Sequence, residues 1–274
     1  MEKVQNKKKQ KRMLLLIGMV LGITLYGWSY WCEKDAHADP AVQRVLLEVP
    51  AEGEEWTEEA LRLAESQTGL GIAGILQLER EGRLAELPLL QEAYFSPVQV
   101  RCVPNSILTK EEYLVNERGE AVSGMPIAVV EDGDILITCC SHALGWRNGH
   151  AAIVTDASKR QVLEAQVLGS PTVYASVDRW ECYPAFLVLR LKGVSKEERA
   201  RAAEVAKREM AGLPYRLSAG LWNQKELNGT QCAHLVWYAY RQIGYDLDGD
   251  GGRIVTPADL AKSELLEVVQ RYGM

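Results

Sequence analysis

A thiol, an imidazole and a carboxylate occur in segments whose local patterns predict that each side chain is held rigidly. Cys232 falls at the start of a predicted helix, and Asn228 or Thr230 can supply its N-cap. A helix N-terminus stabilises a thiolate, and a neighbouring imidazolium stabilises it further. A cysteine in this position is more often a small buried hydrophobic residue. Nucleophilic attack on a carbonyl carbon therefore requires that histidine and acid partners lie nearby.

The histidine partner is predicted in a β-hairpin. His150 lies in an apolar strand, 149–154, and the chain turns near residue 157 and returns through 161–167. This turn predicts that His150 lies opposite Glu164. Opposed side chains on one face of an antiparallel pair are about 5 Å apart, so the carboxylate can orient the imidazole and stabilise its cation. The alternative is a cross-strand polar pair without a function.

The elements around these residues predict an α+β domain, because a run of strands precedes two helices. The first helix begins at the capping box Ser195-Lys196-Glu197-Glu198 and ends near Ala211, and the second runs from Cys232 to Gly244. The strand candidates, which are apolar or alternate in polarity, are residues 98–103, 113–115, 127–130, 133–138, 151–154, 161–165 and 186–191.

Short motifs in this region resemble a known family. In their order they are similar to the circularly permuted branch of the NlpC-type papain-like cysteine hydrolases, the YiiX/YaeF-like and YycO-like amidase group. In that branch the histidine strand precedes the cysteine helix. The resemblance covers roughly residues 125–265. The motifs are Gly133-Asp134-Ile135-Leu136, Gly149-His150-Ala151-Ala152-Ile153-Val154, Leu163-Glu164-Ala165, Gly212-Leu213-Pro214-Tyr215, Gln231-Cys232-Ala233-His234-Leu235-Val236 and Thr256-Pro257-Ala258-Asp259-Leu260.

The resemblance implies a fold and roles for four side chains. It implies a permuted papain-like domain at 96–274, with an antiparallel sheet, packed helices and no metal or cofactor. Cys232 would be the nucleophile, His150 the general base and acid, and Glu164 the group that orients the imidazole. Tyr215 would line the oxyanion site, together with the backbone N–H of Cys232.

The chain departs from the family pattern directly after the cysteine. Ala233-His234 stands where a small or acidic pair such as Ser-Glu is commoner. We interpret His234 as a residue of the helix surface. The family pattern therefore gives it no catalytic role.

The N-terminus predicts a membrane anchor. Residues 1–12 carry six cations and one acid, and residues 13–32 contain no charged side chain. As a helix, this uncharged span is about 30 Å long, enough to cross a bilayer core. The basic residues before it predict a cytoplasmic tip and an extracytoplasmic body. We expect a retained single-pass anchor; the alternative is cleavage and secretion after Ala36-His37-Ala38. Residues 33–95 are predicted to form a helical stalk or cap.

Net charge and location indicate the classes of partner. The formal net charge of −6 argues against nucleic-acid binding, which usually needs a basic face. The expected substrate is a peptide or acyl amide, with cell-wall peptidoglycan as a candidate, and the expected membrane contact is the N-terminal helix. The alternative function is a catalytically idle module that binds wall or lipid components at the membrane face.

Three other groups have residue types that could carry chemistry. Cys139-Cys140-Ser141-His142, taken together with His150, contains metal-ligand types, but its spacing fits no closed zinc pattern. Since the body is predicted to be exported, we expect disulfides among Cys102, Cys139, Cys140 and Cys182, with three possible connectivities. Asp246 to Gly251 resembles the opening of a calcium-binding loop, yet its twelfth position is proline, which predicts an ordinary polar turn; the alternative is a weak calcium site. We interpret Arg179-Trp180 as core or rim.

Overall fold

The basic tip and the apolar run after it form a single helix, α1 (Glu2–Trp31). The computed structural model describes residues 2–31, 36–50, 54–106, 109–143, 145–219 and 227–274. Large apolar side chains of α1 between Met13 and Tyr26 are exposed. Within the described ranges, no helix combines the length and the apolarity needed to cross a membrane. The predicted transmembrane helix therefore has no support from the structure, and Cys32, its last residue, lies outside the described residues.

Three short helices follow and pack on the C-terminal strand. Thr57 caps the first of them by accepting a hydrogen bond from the backbone N–H of Ala60 at 3.1 Å. Gly69 ends that helix with a φ of 69°, and a Cβ there would lie 2.4 Å from the carbonyl oxygen of Arg271. Glycine thus permits the close approach to the sheet. The helices are α2 (Glu58–Thr68), α3 (Ile72–Arg80) and α4 (Leu87–Phe95), with a 3₁₀ turn at Leu84–Glu86.

The described strands form two antiparallel sheets. The larger has the order β10-β9-β3-β6-β7-β8, and the smaller has the order β1-β2-β4-β5. The fold is therefore a mixed α+β fold, as the sequence predicts. The strands are β1 (Val100–Pro104), β2 (Thr109–Leu114), β3 (Ile135–Thr138), β4 (Ser141–Ala143), β5 (Trp146–Arg147), β6 (His150–Asp156), β7 (Gln161–Glu164), β8 (Val173–Ser176), β9 (Phe186–Leu191) and β10 (Leu266–Tyr272).

The central strands of the six-stranded sheet, β9, β3 and β6, are buried on both faces, which explains why they are continuously apolar. Ile135 and Ile137 belong to the core beneath the later helices, whereas Leu136 between them faces the opposite core. The later helices are α5 (Lys196–Val205), extended by a π turn at Ala206–Met210, then α6 (Cys232–Gln242) and α7 (Pro257–Ala261). Both α5 and α6 pack on β6, so the strand of His150 is held against the helix of Cys232.

One predicted strand, 127–130, is wrong. The segment is buried, but side chains satisfy its backbone instead of a neighbouring strand. The N–H of Ile127 donates to Oε1 of Glu181 at 3.0 Å. The N–H of Ala128 donates to Oε1 of Gln270 at 2.9 Å. An apolar run therefore lies in the core here without strand geometry.

Candidate active site

His150 and Glu164 form a buried pair at the adjoining ends of β6 and β7. The imidazole Nε2 lies 2.7 Å from Oε2 of Glu164. The register differs from the prediction, because Glu164 lies directly opposite Ala152 rather than His150. The shift is two residues, so both side chains stay on one face of the sheet and meet along a diagonal.

Gly149 fixes the backbone that leads into His150. Its φ is 72°, and a Cβ at this position would lie 2.7 Å from the carbonyl oxygen of Thr138. Thr138 is in turn the residue opposite His150 in β3. A side chain at 149 would therefore push β6 away from β3 and displace the imidazole.

Three further side chains hold the pair in place. Arg179 donates from Nη1 to Oε1 of Glu164 at 3.3 Å, and Gln166 donates from Nε2 to the same oxygen. Trp180 stacks on the imidazole, with the ring centroids 5.4 Å apart and the planes inclined by 15°. The interpretation of Arg179-Trp180 as core or rim missed these contacts, because neither residue belongs to a motif.

Cys232 is the first residue of α6, and its cap is neither of the residues predicted. Gln231 is the N-cap, and its Oε1 accepts from the N–H of Ala233 at 2.9 Å. Its Nε2 donates to the carbonyl oxygen of Val255 at 2.7 Å. The thiol of Cys232 donates to Oε1 of Gln231 at 3.6 Å, and the Cys232 side chain is also one of the groups that raise the pKa of His150. Because Glu164 occupies Nε2, the ring nitrogen left for the thiol is Nδ1.

The contacts around His150 favour its cation. Burial opposes the charge, but the hydrogen bonds with Cys232 and Glu164 outweigh it and raise the pKa of His150 to about 10. Burial likewise disfavours the carboxylate of Glu164, yet the imidazole and the Arg179 guanidinium hold its pKa below the usual range. At neutral pH the pair is therefore an imidazolium beside a carboxylate.

Tyr215 lies beside the loop that leads into Cys232. Its N–H donates to the carbonyl oxygen of Ser170 at 2.7 Å, and it forms a parallel bridge with Thr230. Burial and the nearby charge of Cys232 raise the pKa of Tyr215 to about 12. Its hydroxyl thus stays protonated at neutral pH and can donate a hydrogen bond. The structure brings together all four residues that the sequence singled out.

Comparisons with known proteins identify a similar solved structure and no family. No protein-family profile matches the chain, and no curated protein matches it. A crystal structure of the metalloprotein YiiX from Escherichia coli O157:H7 aligns with a TM-score of 0.43 and 19% sequence identity. The alignment covers 53% of this chain and 98% of YiiX. A similarity of this size carries no argument about activity, so the permuted papain-like assignment stays a prediction from the motifs.

The interpretation of His234 as a surface residue is wrong. Its side chain is buried, and Nδ1 lies 3.0 Å from Oγ1 of Thr230. Burial lowers the pKa of His234 to about 4, so the ring is neutral at physiological pH. His234 ties the segment before Cys232 to the helix that follows it.

Neither the expected disulfides nor a metal site at Cys139-Cys140-Ser141-His142 is formed in the described part of the chain. Cys139, Cys140 and Cys182 carry free thiols, so the disulfides expected among them are not formed. His142 meets Glu112 through Nε2 at 2.5 Å and is thus engaged by its own glutamate, as His150 is by Glu164. This separate pairing argues against a shared metal site for the two histidines.

The polar turn after α6 brings three carboxylates together. Among the described residues, Asp248, Asp250 and Asp259 have side-chain oxygens within 4.8 Å of one another. Asp259 also serves the capping box of α7, where it accepts from the N–H of Thr256 at 2.8 Å. The capping role is enough to explain its position.

Proposed function

We propose that this protein is a thiol hydrolase that cleaves amide bonds by nucleophilic catalysis at Cys232. The observation that supports it is the buried His150–Glu164 pair, which lies on the strand packed against the helix of Cys232 and whose imidazole is influenced by the Cys232 side chain. This order of thiol, base and orienting acid is the arrangement that nucleophilic acyl transfer requires.

In the first step, the Cys232 thiolate attacks the amide carbonyl carbon and forms a carbon–sulfur bond. The carbonyl π electrons move to oxygen and produce a tetrahedral oxyanion. When the oxyanion collapses, the carbon–nitrogen bond breaks and the His150 imidazolium gives its proton to the departing amine. The products are a thioester on Cys232, a free amine and a neutral imidazole.

In the second step, neutral His150 accepts a proton from water as the water oxygen attacks the thioester carbon. The resulting tetrahedral oxyanion collapses, the carbon–sulfur bond breaks, and the carboxylic acid leaves. Cys232 is again a thiolate and His150 an imidazolium. Glu164 keeps the ring in one orientation through both steps, because its hydrogen bond with Nε2 leaves Nδ1 towards sulfur.

The oxyanion is stabilised by donors at the start of α6. The backbone N–H of Cys232 belongs to the first turn of the helix, where N–H groups lack intrahelical partners. The protonated hydroxyl of Tyr215 is the second donor. Gln231 holds the start of α6 in place, because its Oε1 accepts from the N–H of Ala233 and its Nε2 donates to the carbonyl oxygen of Val255.

The location and the substrate follow from the sequence patterns and form part of this proposal. The basic residues that precede the apolar segment are the pattern from which we propose that the α+β body lies outside the cytoplasm, at the cell membrane. An amide hydrolase in that location meets peptidoglycan peptides and membrane-derived acyl amides. The reaction uses no metal or cofactor, since the thiol and imidazole supply both the nucleophile and the proton transfers.

The test is hydrolysis of two substrate classes by the full chain. Purified muropeptides and N-acyl amino acids are incubated with wild-type protein and with Cys232→Ala, and released amines are quantified. We expect wild-type protein to cleave one class and the variant to cleave neither. Binding of either class without cleavage by the wild type would instead favour the catalytically idle binding module.

A further inference from the structure

A cavity lies on the other side of the larger sheet from Cys232. It has a volume of about 600 Å³ and opens between α4, the start of β1 and the end of β2, with Tyr272 of β10 in its lining. Its apolar walls include Ala93, Val98, Leu114 and Val122. None of its lining residues takes part in the candidate active site, and β9 and β3 separate β10 from the strand of His150.

The hydroxyl of Tyr272 is a buried polar group without a partner in the described part of the chain. The side chain is 1% exposed, and its ring packs on Tyr94 and Phe186 with centroid distances of 6.4 and 5.7 Å. A Cβ at Gly124, which also lines the cavity, would lie 3.6 Å from the hydroxyl oxygen. The hydroxyl therefore stands at the cavity wall, and an unmade hydrogen bond there is costly.

The charged side chains in the cavity lining are all acidic. Glu92 and Glu117 are exposed residues of the lining, and the lining contains no lysine or arginine. The wall between them and Tyr272 is mainly apolar. A ligand that matches these features has a cationic group at one end, a short hydrocarbon body and a hydrogen-bonding oxygen at the other end.

We propose that this cavity binds a small amphiphilic amine, with its ammonium group at Glu92 and Glu117 and its far oxygen on the hydroxyl of Tyr272. Burial raises the pKa of Tyr272 to about 12, so the hydroxyl donates this hydrogen bond at neutral pH. The apolar walls bind the hydrocarbon body by excluding water from it. The inference is independent of the proposed hydrolase activity, since no residue is shared.

Calorimetric titration of the full chain with matched probes tests the proposal. The probes are aminobutanol, aminohexanol and aminooctanol, compared with hexylamine and hexanol, which each lack one polar end. We expect one amino alcohol to bind at least about fivefold more tightly than either single-ended probe, the ratio for one net hydrogen bond. Raised salt should weaken binding of the amines and leave hexanol unchanged.

Two variants, one single and one double, test the two ends of the site separately. Tyr272→Phe removes only the hydroxyl, so it should weaken the amino alcohol about fivefold and leave hexylamine unchanged. The double variant Glu92→Gln and Glu117→Gln should weaken both amines and leave hexanol unchanged. Glu59→Gln, on the exposed face of α2, is the matched control and should change nothing.

Several outcomes overturn the proposal. They are an absence of binding heat for every amino alcohol, equal affinity for the amino alcohol and hexanol, and equal affinity of wild type and Tyr272→Phe for the amino alcohol. The charge variants lie at the surface, so they report on the site even where Tyr272→Phe lowers stability.

Discussion

The described part of the chain contains two buried histidine–glutamate pairs, and they differ in whether the imidazole interacts with the Cys232 thiol. His150 meets Glu164 at 2.7 Å, and His142 meets Glu112 at 2.5 Å. Each histidine lies in a β-strand, and each carboxylate is almost fully buried. Distance and burial therefore do not distinguish the pairs.

The difference lies in what else each glutamate binds. Glu112 also accepts from Arg147 at 2.7 Å and from the backbone N–H of Ala36 at 2.9 Å. It thus ties the chain near the N-terminus to the smaller sheet. Glu164 binds side chains around the imidazole, and that imidazole also interacts with Cys232. A buried histidine–glutamate pair is consequently a structural tie unless a nucleophile lies on the free nitrogen.

The largest expected effect separates the two histidines by activity. Cys232→Ala and His150→Ala should each lower turnover by at least about 10³-fold, because each removes a group that takes part in bond making or proton transfer. The double variant should be little worse than Cys232→Ala. Turnover per folded molecule should persist in His142→Ala. Equal losses of turnover in His142→Ala and His150→Ala would contradict the assignment of a catalytic role to the His150 pair alone.

The second expectation concerns stability at the other pair. Glu112→Ala leaves the buried His142 ring without its carboxylate partner and removes one acceptor of the partly exposed Arg147 cation, so the free energy of unfolding should fall by about 2 kcal/mol. Urea denaturation followed by circular dichroism measures it. Glu112→Gln, which retains an acceptor for Ala36, should cost less. An unchanged unfolding midpoint in Glu112→Ala would show that Glu112 does not stabilise the fold by linking the segment near Ala36 to the smaller sheet.

The third expectation isolates the orienting acid. Glu164→Ala should lower kcat about tenfold to a hundredfold with a smaller change in KM, since orientation of the imidazole matters most in the transition state. Glu164→Gln should be milder because an amide oxygen still accepts from the ring. Steady-state kinetics on the cleaved substrate decides this. Wild-type kcat in both variants would assign Glu164 a purely structural role.

The smallest effect is a shift of the pH profile. The raised pKa of His150, about 10, means that the imidazolium is complete below neutral pH and is lost as pH rises through about 10. The alkaline limb of kcat/KM should therefore lie near 10 rather than near the 6.5 of a free imidazole. In Glu164→Gln the limb should move to lower pH, because a neutral partner stabilises the cation less. A wild-type limb near 6.5 would contradict the assignment.

The candidate site was predictable from the sequence because its parts are local. Side chains of a strand alternate between the two faces of the sheet. The turn centre lies one residue later than predicted, which shifts the pairing by two residues, so His150 and Glu164 stay on the same face. Cys232 at a helix start follows from the apolar face of α6 and needs no knowledge of tertiary structure.

Other features escaped prediction because they depend on distant residues. β10 forms an edge of the larger sheet and pairs with β9, but nothing within 266–272 indicates that partner. The stacking of Trp180 on His150 likewise depends on how a 3₁₀ turn follows β8. The prediction of a strand at 127–130 was wrong because its apolar pattern implied a neighbouring strand. The side chains of Glu181 and Gln270 accept the backbone hydrogen bonds instead.

The order of the elements along the chain also governs when the chemistry becomes available during synthesis. β6 and β7 are complete by Glu164, whereas the thiol arrives only at Cys232. Translation proceeds from the N-terminus, and structure formed early consists of what has already emerged. A nascent chain can therefore assemble the His150 imidazole and the Glu164 carboxylate, but the Cys232 thiol is absent until α6 is made. The Cys232 thiol is thus added to the chain only after most of the elements that surround it have been synthesised.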